Sequence, residues 1–146
     1  EQHSFEDSCA KRPVLLLDTL GELSACWGLA DVAFVGGSLT NRGGQNMIEP
    51  AGYGAAVLFG PNTRNFRDVV EILLKAHAAR VVNGPDQLTT ILRELLQTPI
   101  IRHQLGQRAQ QLVLSQRGAT QRTLLPISEV LDEIDRTPLK FESKAA

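Results

Sequence analysis

The sequence lacks most of the patterns that announce a metal centre, a disulfide framework or a membrane span. It holds only two cysteines, Cys9 and Cys26, with no CxxC, so free thiols in a reducing compartment are the expectation. Its three histidines, His3, His77 and His103, are scattered with no HExxH-like spacing, and no metal site and no cofactor are expected. No apolar run approaches the ~20 residues that span a bilayer, and no charged segment followed by an apolar one marks a signal peptide. A basic surplus is missing as well: 15 Lys and Arg against 16 Asp and Glu leave a net charge of −1. That balance argues against a nucleic-acid partner, which requires many phosphate contacts. Neither a GxGxxG fingerprint nor a P-loop occurs, so neither a dinucleotide site nor an ATPase is indicated.

What is present suits one domain with a real core: 146 residues, 42% hydrophobic and 21% charged. Short, nearly continuous apolar runs at 14–17, 32–35 and 56–59 read as strands buried on both faces, with a weaker fourth at 80–82. Helical segments separate them. The alternation predicts βαβ units and a parallel sheet flanked by helices, a Rossmann-like α/β fold. Asn65 is read as the N-cap of a helix over 66–78, carrying Val69, Ile72, Leu73 and Ala76 on one face. Pro85 suits the first turn of the next helix, with Leu88, Ile91, Leu92, Leu95 and Leu96 at helical spacing. A further helix starts near Ile100, and the last starts near Thr120, where Pro126 is expected to kink or restart it. Residues 1–135 are read as one domain and 136–146 as a loosely attached tail; the opening at Glu1 reads as that of a fragment.

In an open parallel sheet, ligands bind outside the carboxyl ends of the strands. The loop after residue 17 contains Leu20, Gly21 and Glu22; Asp18 or Thr19 capping a short helix through Cys26 and Trp27 explains it without a ligand. The loop after residue 35 is more informative. Gly36, Gly37, Gly43 and Gly44 put four glycines within nine residues, between a buried strand and a helix start, where backbone amides can wrap an anion. Ser38, Arg42 and Gln45 share that loop, and Arg42 carries its only charge. Asn46 and Glu49 then stand three apart. Two readings remain open: a capping box, with Asn46 as N-cap and Glu49 at N3, or a ligand site. In the ligand reading, Asn46 and the Met47 amide meet a phosphate and Glu49 accepts from ribose hydroxyls. The loop after residue 59 reads as a turn plus cap.

Four pieces together resemble the C-terminal donor-binding domain of bacterial 3-deoxy-D-manno-octulosonic acid (Kdo) transferases, enzymes of the two-domain GT-B glycosyltransferase fold. They are DTLGEL at 18–23, ADVAFVGGSL at 30–39, RGGQNMIEP at 42–50 and GPNTRNFRD at 60–68, with looser similarity to about Leu131. The resemblance implies a CMP-Kdo donor, a lipid A precursor as acceptor, and metal-independent transfer in lipopolysaccharide biosynthesis at the cytoplasmic face of the inner membrane. It implies that Leu20, Gly21, Glu22, Asn46, Met47, Ile48 and Glu49 contact CMP, and that Gly36, Gly37, Ser38, Arg42, Gly43, Gly44 and Gln45 shape the donor cleft. The family commonly has His where Gln45 stands. Its catalytic base, acceptor site and membrane association belong to an N-terminal domain, so no catalytic residue is expected in these residues and the chain alone is expected to be inactive. Alternatives carried beside this are a GT-B domain for another nucleotide sugar, such as a UDP-sugar, and a non-catalytic module whose glycine loop meets a protein.

Overall fold

A computed structural model describes residues 14–136 of the chain. Three strands, β1 (Val32–Val35), β2 (Ala56–Phe59) and β3 (Ala79–Val81), form a parallel sheet in the order β1-β2-β3. Val32 pairs with Ala56 and Val35 with Phe59, and Phe59 in turn pairs with Val81. The helices are α1 (Leu23–Cys26), extended by a 3-10 turn over Trp27–Leu29, then α2 (Ile48–Gly52), α3 (Arg67–Lys75), α4 (Pro85–Gln97), α5 (Pro99–Ser115) and α6 (Ala119–Arg136). The expected α/β class with a parallel sheet and flanking helices is what the chain adopts.

β2 is central and wholly buried, which is why its sequence is apolar at every position rather than alternating. Its side chains divide between two cores. Val57 and Phe59 pack with Val35, Met47, Ala51, Leu73 and Ala109 on one face; Ala56 and Leu58 pack with Ile91, Leu95 and Leu105 on the other. Helix α5 reaches both cores through Ala109 and Leu105. Between those two residues, a Cβ added to Gly106 would sit 2.0 Å from the Gly54 carbonyl oxygen, so only glycine lets α5 lie against the turn before β2. Gln110 Nε2 donates to the Gly52 carbonyl at 3.2 Å beside this contact, and Arg102 pairs with Asp31 at 3.3 Å.

Several sequence expectations are corrected. Residues 14–17 form no strand; Val14, Leu15 and Leu16 are 97%, 85% and 81% exposed. A strand exists only by pairing, and among the described residues the sheet offers this run no partner. The fourth run does form a strand, over Ala79–Val81. Asn65 is not a helix N-cap: it lies inside a 3-10 turn over Arg64–Phe66, and α3 begins after it. The helix also ends three residues early. His77 takes a positive φ of 50°, with His77 N donating to Leu74 O and Ala78 N to Leu73 O, a reverse turn that closes the helix and sends the chain into β3. Helix α6 runs through Pro126 rather than restarting. It leaves Leu124, Ile127, Leu131 and Ile134 exposed. The expected tail lies outside the described residues beyond 136, as do His3 and Cys9.

Gly106→Ala is expected to lower stability by about 3 kcal/mol, the upper end of overpacking costs. Gly84→Ala, where an added Cβ meets nothing within 4 Å, should change it by less than ~0.5 kcal/mol. Urea unfolding midpoints of the two variants check this pair.

Candidate functional site

The loops after β1 and β2 lie side by side because the strands are parallel neighbours, and a single buried hydroxyl joins them. Ser38 is fully buried. Its Oγ donates to the Val35 carbonyl at 2.5 Å and accepts from the Gly60 amide at 2.8 Å. Its own carbonyl accepts from the Asn62 amide at 2.9 Å. The approach is so close that a Cβ on Gly60 would lie 2.4 Å from the Ser38 carbonyl oxygen. A second tie sits further along. Asn65 Nδ2 donates to the carbonyls of Arg42 at 3.2 Å and Gly44 at 3.4 Å, and the Asn65 amide donates to Gly43 O at 3.2 Å. The side chain expected to cap a helix instead clamps the glycine loop, whose Gly37, Gly43 and Gly44 adopt positive φ.

The loop ends at α2, where the capping box, one of the two readings of Asn46 and Glu49, does not form. Met47 occupies the N-cap position, one residue later than expected, and makes no side-chain cap bond. Asn46 Oδ1 accepts from the Ile48 amide at 3.0 Å while its Nδ2 donates to Glu49 Oε1 at 2.9 Å, a side-chain pair rather than a reach to the backbone. Glu49 Oε2 also accepts from Ser24 Oγ of α1 at 3.4 Å. These bonds hold the carboxylate at the junction of α1 and α2.

A cavity of about 160 Å³ opens at that junction. Leu23, Trp27, Phe34 and Val35 supply its apolar walls; Gly36, Gln45, Asn46 and Glu49 supply its polar side. A second cleft, of about 310 Å³, is lined by Asn41, Gly43, Asn62, Thr63, Arg64 and Arg67, together with Pro61. Two guanidinium groups make it a place for an anion. The glycine loop contributes residues to both.

Of the residues singled out from sequence, Gly36, Gln45, Asn46 and Glu49 come together around the first cavity, and Gly43 lines the second. Leu20, Gly21 and Glu22 line neither. Leu20 is fully exposed, Gly21 has φ 91°, and Glu22 accepts from the Thr19 hydroxyl while its carbonyl starts α1. Met47 is wholly buried in the core, backbone included, so it offers a ligand no exposed surface. Ile48 lines a separate apolar groove with Val69, Ile72 and Leu112. Sequence reasoning passed over Trp27, Arg64 and Arg67. The signal was present, since Trp27 is the only tryptophan in the chain and both arginines stand within the quoted motif at 60–68. The Glu71 carboxyl, on α3, is held below the usual carboxylate range by a hydrogen bond from Lys75 and by its charge. Among the described residues no three His, Cys, Asp or Glu side chains gather as a metal-ligand set, and no helix is long and apolar enough to cross a membrane.

No protein-family profile matches the chain. It is 37% identical over 112 residues to the 3-deoxy-D-manno-octulosonic acid transferase of Haemophilus influenzae, an alignment covering 76% of this chain and 26% of that protein. To the transferase of the same name from Bordetella pertussis it is 42% identical over 113 residues, with the same 76% and 26% coverage. Among solved structures it is similar to the C-terminal CMP-Kdo binding domain of WaaA from Acinetobacter baumannii, with a TM-score of 0.64 and 31% identity over 69% of this chain and 52% of that one. The alignments thus span about a quarter of the length of the curated relatives. The similarity to Kdo transferases read from the four motifs extends over most of the chain, in sequence and in fold.

Ser38→Ala leaves the buried Gly60 amide without its acceptor, and a stability loss of about 1–3 kcal/mol is expected. Thermal or urea unfolding measures it. A loss below ~0.5 kcal/mol would show that the two loops hold their positions without the hydroxyl.

Proposed function

We propose that this chain is the donor-binding part of a glycosyltransferase that moves Kdo from CMP-Kdo to the lipid A precursor in lipopolysaccharide biosynthesis, at the cytoplasmic face of the inner membrane. The observation that carries this is the 31% identity to a CMP-Kdo binding domain over 69% of the chain. The site geometry supports it. A carboxylate at the α1–α2 junction, a small cavity beside it and a cleft with two arginines offer an acceptor for ribose hydroxyls, a recess and an anion site within one loop system. The proposed boundary places the donor-binding domain at residues 1–135.

The proposed nucleotide contacts are Leu20, Gly21, Glu22, Asn46, Met47, Ile48 and Glu49, with Gly36, Gly37, Ser38, Arg42, Gly43, Gly44 and Gln45 shaping the cleft. Burial refines the roles: Met47 and Ser38, both fully buried, would act by holding the loop and the start of α2 rather than by touching ligand. Transfer breaks the bond between the sugar's ketosidic carbon and the phosphate, so negative charge grows on departing CMP. Donors fixed in advance at the loop end would stabilise that charge where it develops. The acceptor hydroxyl must also lose a proton, and that needs a base positioned against it. We assign no base within these loops: Glu49 is already engaged by Asn46 and Ser24. The chain by itself is therefore expected to form no glycolipid from CMP-Kdo and lipid A precursor; CMP release or product above a no-protein control would overturn that.

Glu49→Gln replaces an acceptor-only carboxylate with an amide of the same shape. CMP affinity is expected to fall about tenfold, equivalent to roughly 1.4 kcal/mol, with the urea midpoint nearly unchanged. Calorimetric titration with CMP, and with UDP in parallel, checks both the residue and the nucleotide. Equal CMP binding by wild type and variant would remove Glu49 from the site, and preference for UDP would favour a different nucleotide sugar.

A further inference from the structure

Asn65 draws three consecutive carbonyls of the glycine loop to itself. Its Nδ2 donates to Arg42 O at 3.2 Å and Gly44 O at 3.4 Å, and its backbone amide donates to Gly43 O, between them, at 3.2 Å. Among the described residues every peptide bond is trans. In a planar trans peptide the N–H points opposite to the carbonyl that shares its plane. The amides of Gly43, Gly44 and Gln45 are therefore all turned away from Asn65, onto the other side of the loop. The Gly44 amide bears out the direction, since it donates to Gly37 O at 3.3 Å. Arg42 roots its side chain on that side too: a Cβ added to Gly37 would lie 3.4 Å from Arg42 Cβ.

This leaves one aimed donor at the site. Gln45 is exposed and lines the cavity with Gly36, Asn46 and Glu49, and its amide donates to no protein group among the described residues. The Glu49 carboxylate is already taken up by Asn46 Nδ2 and Ser24 Oγ. Gly43 and Gly44, with φ of 88° and 77°, leave the loop a wide choice of peptide orientations, and the clamp removes that choice. A backbone N–H held in place suits an oxyanion, and hydrogen bonds to ionised acceptors are the strong ones. In CMP the ionised group is the phosphate. We infer that the Gln45 amide donates to the phosphate of the donor nucleotide, and that Asn65 is the positioning residue that aims this amide without touching the ligand. The inference rests on the donor-site reading above and supplies that reading with its phosphate contact.

CMP and cytidine differ only by the phosphate, so titrating the 146-residue chain with each isolates the effect. By NMR, the Gln45 amide proton of the wild type is expected to move downfield with CMP and to stay in place with cytidine. Asn65→Ala releases the Arg42 and Gly44 carbonyls, and the ratio of CMP to cytidine affinity is expected to fall about tenfold. A merely structural role would lower the urea midpoint and weaken both ligands alike, so an unchanged ratio overturns the inference. A Gln45 amide that stays in place at CMP saturation overturns it too, and decides the matter alone where the variant fails to fold. CMP binding by wild type with either of those results sinks only the roles of Asn65 and Gln45. No CMP binding by wild type sinks the donor-site reading, and this inference with it.

Discussion

Everything at the carboxyl edge of the sheet depends on the joint that Ser38 makes between two loops. Parallel strands deliver their loops to the same edge, but pairing alone does not fix one loop against the next. Here a buried hydroxyl accepts from Gly60 and donates to Val35, and the Ser38 carbonyl takes the Asn62 amide, so the loop after β1 is tied to the loop after β2 by hydrogen bonds with no water between. Asn65 repeats the tie further out. Between these two fastenings the glycine loop becomes a partition, with an arginine-lined cleft on one side and an aromatic-walled cavity on the other.

The partition is stiff because its supports are core elements. β2 is buried along its whole length, and α5 contributes to the cores on both faces of the sheet. The tight approach of Gly106 to the Gly54 carbonyl fixes α5 just where the chain leaves α2 and enters β2. The position of α2, and so of Asn46 and Glu49, is set from below by that packing. The five residues of α2 have little helical stability of their own.

The parts of this arrangement that were legible in the sequence are those with a local signature. Continuous apolar runs identified β1 and β2 because β2 is buried on both faces and β1 on one face with the other half-buried, and the clustered glycines identified the loop because positive φ is rarely available to other residues. Residues 14–17 have the same local signature as β1 but form no strand, because pairing is not a property of the run itself. Asn65 misled for a related reason: an asparagine before a helical pattern looks like a cap, and only the fold brings the Arg42 and Gly44 carbonyls within its reach. Trp27 and the arginines at 64 and 67 were passed over because their place at the site depends on two loops meeting. The motif resemblance compensated in part, since it carries information about tertiary position that periodicity lacks.

The rooting of α2 in the core has a consequence for motion. Pro50 and Ala51 are buried, Met47 lies in the main core, and Ala55 closes the element by donating to the Pro50 carbonyl. A short helix held only by such contacts has no partly open state of its own: to swing Glu49 aside, the chain must withdraw Met47 and Ala51 from the core. Its amides should then exchange with solvent hydrogen at the pace of whole-domain unfolding, although the element lies beside a cavity and is only five residues long. A ligand arriving here meets a surface already in its final shape, and selection among ligands falls to fit rather than to closure around them.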